Sequence, residues 1–109
     1  MTVRLAVFDI DGTLIDSQRH IQAAMADAFS ALGHPAPDLP AILSIVGLSL
    51  PEAIARLAPE ATPDAQASIV QAYKDSFSTR RAETVAPPYP GALAALDRLG
   101  ARGDLLLGV

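Results

Sequence analysis

The sequence predicts an α/β fold: a parallel strand–helix–strand crossover with a run of helices inserted into its first loop. Three observations predict it. Short apolar runs, Arg4 to Phe8 and Leu105 to Val109, stand at the two ends of the sequence. Between them apolar residues recur at threes and fours, the helical period, and a Pro- and Gly-rich connector follows at 86–91. At 109 residues there is room for one small core and too little chain for two independently folded domains. Half the residues are apolar and 18% are charged, which excludes a disordered chain. Three Phe, two Tyr and no Trp leave Leu, Ile, Val and Ala to fill a thin core.

Arg4-Leu-Ala-Val-Phe8 reads as a strand buried on both faces of a parallel sheet, ending in Asp9-Ile-Asp11-Gly12. From Ser17 to about Leu32, Ile21, Ala24, Met25, Ala28, Phe29 and Leu32 share one helix face. Ser17 or Asp16 serves as cap, and Gly33 lies just past the end. His34-Pro-Ala-Pro37 breaks that helix. Leu39 to Val46 makes a short second one, closed by Gly47. Ser49-Leu-Pro-Glu52 has the form of a capping box and opens a third helix to about Ala58. Thr62-Pro-Asp64 starts a fourth, reaching about Arg80, with Ile69, Val70, Tyr73 and Phe77 on its buried face; it is long enough to pack as a hairpin against the first. Ala92 to Leu99 is a fifth helix, with Leu93, Leu96 and Leu99 on one side, before the last strand. A parallel pair alone leaves two open edges, so a unit of this kind is expected to be the front part of a larger doubly wound sheet.

Twelve acidic against eight basic residues give a net charge of −4, and no basic run exceeds Arg80-Arg81, which excludes a nucleic-acid footprint. With no cysteine there is neither disulfide nor thiolate metal site, and the two histidines lie far apart, which argues against zinc. Leu5 to Ile10 is too short, and too soon charged, for a signal peptide or membrane span, so a cytoplasmic setting without membrane attachment is expected.

Asp9-Ile-Asp11-Gly12-Thr13 carries the chemistry. It sets two carboxylates two residues apart at the carboxyl end of a strand, the edge where open α/β sheets bind ligands. A loop turning at Gly12 can bring both acids and a backbone carbonyl round a hard cation such as Mg²⁺, which keeps waters and recruits substrate phosphate oxygens. Asp-Gly is also a common turn dipeptide, so the residues alone leave open a merely solvated loop. An EF-hand does not fit, because the twelfth position counted from Asp9 is His20 and not Glu.

The string Val7-Phe-Asp9-Ile-Asp11-Gly-Thr13-Leu-Ile-Asp16-Ser17 resembles the first motif of the haloacid dehalogenase-like (HAD) phosphohydrolases, an apolar strand followed by D-x-D-G-T-L-x-D-S. The helical insertion after it is similar to the cap of the phosphoglycolate phosphatase-like branch, and Tyr89-Pro-Gly91 with its apolar helix is similar to the return from cap to core. The resemblance implies a HAD-like Rossmannoid core, of which only the first strands are present, with an inserted α-helical cap. The division would be 1–16 for the first strand and catalytic loop, 17–86 for the cap, and 87–109 for the return to the core.

The same resemblance implies the roles. Asp9 would be the nucleophile that forms an aspartyl-phosphate, and Asp11 the acid and base. Mg²⁺ would be held by the Asp9 carboxylate and the Asp11 carbonyl, while Gly12 and Thr13 would turn N–H groups and a hydroxyl toward the phosphate of a small phosphorylated metabolite. The family's later Ser or Thr, Lys and further acidic pair are not among these residues, so the chain is expected to be the front of a longer enzyme and to turn over little alone. A sugar-phosphate phosphatase or phosphomutase of the same superfamily is the alternative within the family. A noncatalytic fragment or cap-bearing binding module, self-associating through its strand edges, is the alternative outside it. Gly47-Leu-Ser49 reads as a helix joint or as a substrate-selecting loop. Arg80-Arg81 reads as solvated helix-end charge or as an anion-greeting pair, His20 and His34 as surface or cap residues, and Asp16 as a helix start near the hinge.

Overall fold

The computed structural model describes residues 2–109. Among these residues two strands and five helices follow in the order β1 (Arg4–Val7), α1 (Gln18–Ala31), α2 (Leu39–Ser44), α3 (Leu50–Leu57), α4 (Pro63–Glu83), α5 (Ala92–Gly100) and β2 (Leu105–Gly108). The chain divides into two compact units. One runs through Gln18 and resumes at Ala86, and the other is Arg19–Val85.

In the first unit β1 and β2 pair in parallel, Leu5 opposite Leu106 and Val7 opposite Gly108. The ladder continues one residue further, because the Phe8 N–H donates to the Gly108 carbonyl at 2.9 Å. Helix α5 lies against β2, with Gly100 beside Leu107. Side chains alternate across a strand, so Leu5, Val7 and Leu106 share the opposite face. There they are 65%, 68% and 60% exposed. The expectation of a strand buried on both faces is thus corrected: one helix covers one face of two strands. The α5 leucines follow suit, since Leu96 and Leu99 are half-buried and Leu93 is exposed.

The second unit holds the core. Met25, Ala28 and Phe29 of α1, Ile42 of α2, Ala53 and Ile54 of α3 and Ile69 of α4 form one buried cluster, the stripe that the helical spacing predicts. Local chemistry sets most of the boundaries. Asp38 Oδ1 accepts from the Ala41 N–H at 2.9 Å to cap α2, and Thr62 Oγ1 accepts from the Ala65 N–H at 3.2 Å to cap α4. Pro51 and Pro63 stand in first turns, where no amide hydrogen is needed. One expectation is corrected. Ser49 occupies the cap position of α3, but its side chain makes no cap bond, so no capping box forms. Helix α4 packs along α3 and also runs antiparallel to α1, the hairpin its length predicts: Asp27 Oδ2 accepts from Ser76 Oγ at 2.6 Å and from Arg80 Nη2 at 2.7 Å, and His20 at the start of α1 meets Thr84 at the end of α4.

Candidate active site

The Asp9–Ser17 segment leaves the carboxyl end of β1 as a tight knot. The N–H groups of Thr13, Leu14 and Ile15 all donate to the Ile10 carbonyl, at 3.1, 2.9 and 3.0 Å, and the Gly12 N–H donates to the Ile15 carbonyl at 3.0 Å. Gly12 makes this turn possible at φ +79°, a left-handed conformation that costs other residues about 1–2 kcal/mol. The returning chain ties the knot down. Asp16 N–H donates to the Pro87 carbonyl at 2.8 Å, and Tyr89 N–H to the Leu14 carbonyl at 2.9 Å. The Pro-rich connector therefore runs alongside the loop.

Asp9, Asp11, Gly12 and Thr13 are all exposed on this knot. Thr13 Oγ1 donates to Asp9 Oδ2 at 3.1 Å, which orients the carboxylate and leaves Oδ1 as its uncommitted oxygen. The sequence assigned the Gly12 and Thr13 N–H groups and the Thr13 hydroxyl to a phosphate. In this arrangement all three donors are spent within the loop, the amides on Ile15 and Ile10 and the hydroxyl on Asp9. Among the described residues no group of three or more His, Cys, Asp or Glu side chains is assembled for a metal ion. What the loop offers a cation is two neighbouring carboxylates and backbone carbonyls.

Ser17 closes the string that resembles the family motif. It is 3% exposed, and its Oγ has no hydrogen-bond partner, so it is not the side-chain cap of α1 that was expected. The other singled-out residues have structural duties. His20 Nε2 lies 2.7 Å from the Thr84 carbonyl, joining the start of α1 to the end of α4, and the His34 ring meets Phe29 edge-on at 6.3 Å. Arg80 is held by Asp27. Gly47 turns at φ +96°, and Leu48 packs on the helical core, which makes Gly47-Leu-Ser49 a joint between α2 and α3. Among the described residues no helix is long and apolar enough to cross a membrane.

Comparison with known proteins identifies the family. A phosphoglycolate phosphatase of Rhodobacter capsulatus is 34% identical over 99 residues, covering 89% of this chain and 45% of its own length. A phosphoglycolate phosphatase of Vibrio cholerae is 29% identical, covering 96% of this chain and 49% of its own. The structure of a haloacid dehalogenase-like hydrolase from Streptococcus pneumoniae superposes with a TM-score of 0.82 at 28% identity, over 96% of this chain and 48% of that one. The chain thus spans about half the length of the relatives it matches. Residues 6–109, from β1 and its two-aspartate loop through the helical insertion to β2, match the family pattern throughout, and the chain belongs to the haloacid dehalogenase-like hydrolases.

Proposed function

We propose that this chain carries the nucleophile loop of a Mg²⁺-dependent phosphomonoester hydrolase acting on a small phosphorylated metabolite. The observation that carries the reading is the pair Asp9 and Asp11, exposed at the carboxyl end of β1, with Thr13 already hydrogen-bonded to Asp9. The donor set fits Mg²⁺, which is commonly held by one or two carboxylates and completes its shell with water and substrate phosphate oxygens. Asp9 and the Asp11 carbonyl would hold it. Bound there, it offsets the repulsion between an anionic nucleophile and an anionic phosphate.

The chain's own residues carry the attack and the proton transfers. The Thr13 hydroxyl restrains Asp9 Oδ2, so Oδ1 is the oxygen that attacks phosphorus. As the P–O bond to the substrate breaks, the Asp11 carboxyl gives its proton to the departing alkoxide. The Asp11 carboxylate then takes a proton from water as that water attacks the phosphorus of the aspartyl-phosphate, and the bond to Asp9 Oδ1 breaks to release inorganic phosphate. Gly12 contributes by shaping the turn, and Gly12 with Thr13 forms the phosphate side of the loop. Residues 17–86 act as a cap on this reading. A two-carbon phosphorylated acid is the favoured substrate, supported by the names of two relatives. A cytoplasmic setting fits a chain without cysteine, and a net charge of −4 disfavours nucleic acid.

The 109 residues alone are expected to turn over slowly, because two carboxylates are a small part of the positive and hydrogen-bonding field that phosphoryl transfer needs. A second reading, a binding fragment that self-associates, is favoured by the exposed Leu5, Val7 and Leu106. The test is the intact mass of the natively expressed protein together with hydrolysis of p-nitrophenyl phosphate in Mg²⁺, with and without chelator, and an Asp9→Asn control. Turnover that chelation abolishes and Asp9→Asn lowers by at least about a thousandfold supports the hydrolase. Turnover indifferent to Asp9, or absent from a protein whose mass is that of 109 residues, sinks it in favour of the binding fragment.

A further inference from the structure

We propose that His20 is a latch that closes the base of the helical unit, so that the start of α1 and the end of α4 open only together. The two residues it joins stand at the ends of that unit, Arg19–Val85, where the chain enters and leaves. His20 Nε2 lies 2.7 Å from the Thr84 carbonyl oxygen, and a carbonyl only accepts, so the imidazole donates from Nε2. The latch does not depend on what the two-aspartate loop does.

The end of α4 is held by polar contact and not by burial. Ile69, the buried residue of α4, belongs to its first half, whereas residues 81–85 are all exposed, Val85 by 86%. Further up the α1–α4 hairpin, Asp27 takes the Ser76 hydroxyl at 2.6 Å and the Arg80 guanidinium at 2.7 Å. Beyond Arg80, among the described residues, the side-chain hydrogen bond that reaches α1 is that of His20. Thr84 has already left the helix at φ −140° and ψ 125°, and the last carbonyls of a helix find no partner within it. His20 supplies one. A segment with little apolar burial and exposed backbone bonds opens at low cost, so a single side-chain bond decides whether this one stays closed. The same two stretches of chain are tied again in the other unit, where the Asp16 N–H donates to the Pro87 carbonyl at 2.8 Å and Ile15 and Pro88 form an antiparallel bridge. Residues 17–19 and 85–86 lie between the two ties. With both ties in place the entering and leaving chains stay paired. Without the latch, α4 is free to unravel from Val85 back to Arg80, the next anchored residue.

Trypsin reads the latch directly, because Arg81 stands in the last turn of α4 and Arg56 in that of α3. Cleavage after each is compared in the full chain for wild type, His20→Ala and His20→Gln, the last of which keeps a side-chain N–H donor. His20→Ala is expected to be cut after Arg81 about fivefold faster than wild type, the factor that loss of one hydrogen bond allows, with cleavage after Arg56 changed less than about twofold. His20→Gln is expected to be cut after Arg81 within about twofold of wild type, as a restored bond requires. Cleavage after Arg81 that His20→Ala leaves unchanged overturns the latch. Equal acceleration after Arg56 overturns it too, since that marks general destabilisation. His20→Gln cut as fast as His20→Ala assigns the effect to the ring and not to the bond, and overturns it as well.

Discussion

The helical stretch Arg19–Val85 buries Met25, Ile42, Ile54 and Ile69 almost completely, whereas the unit built from the two ends of the chain leaves Leu5, Val7 and Leu106 more than half exposed. Apolar residues abound in both, alanine foremost in the helical unit and leucine in the other, so the contrast lies in how each kind of element finds partners. A helix satisfies its backbone within itself, and four of them can close an apolar core by turning their stripes inward. A strand depends on neighbours for its hydrogen bonds and on covering layers for both of its faces. Two strands and one helix supply a single covered face. The candidate site stands on the less covered of the two units, at the carboxyl end of β1.

The largest expected effect sharpens that contrast. Ile54→Ala removes side-chain volume from a closed core and is expected to lower stability by about 2–5 kcal/mol, while Leu106→Ala on the open sheet face costs under about 1 kcal/mol. Urea unfolding of the two variants measures both. A Leu106→Ala cost as large as that of Ile54→Ala would break the comparison, and would mean that the sheet face is covered in solution.

An intermediate effect distinguishes two helix starts that look alike in sequence. Thr62 caps α4 through its hydroxyl, so Thr62→Ala is expected to cost about 1 kcal/mol. Ser49 makes no side-chain cap bond, so Ser49→Ala should change stability by no more than a few tenths of a kcal/mol. Equal losses in thermal melts would show that Ser49 caps α3 after all.

The smallest effect depends on pH. The Ser76 hydroxyl, with the Arg80 guanidinium, holds the Asp27 carboxyl below its ordinary range. A depressed carboxylate contributes stability above its unfolded pKa, about 3.9, and loses it as pH falls through the lower folded value. Asp27→Asn should therefore be less stable than wild type at neutral pH, by about 0.2–1 kcal/mol for so exposed a cluster, with the gap closing below about pH 4. A gap that persists unchanged to pH 2 would assign the loss to packing.

Much of this molecule was legible in the order of its residues, because the signals act over one turn of chain. Thr62, Pro51 and Pro63 announce helix starts, Gly33 and Gly47 mark the turns past helix ends, and the spacing of Met25, Ala28 and Phe29 marks the buried face of α1. The two-aspartate loop was legible for the same reason, since a strand, two acids and a glycine at φ +79° fall within nine residues. Tertiary structure decided the rest. Whether Leu5 is covered depends on chain far from it in sequence, and so does the pairing of α4 with α3. The bond from the Thr13 hydroxyl to Asp9 likewise comes only with the closed knot. The spacing of residues offered Ser17 or Asp16 as the helix cap, and Ser17 makes no cap bond. Its hydroxyl loses both water and partner only once the chain is folded around it, a condition that no local pattern encodes.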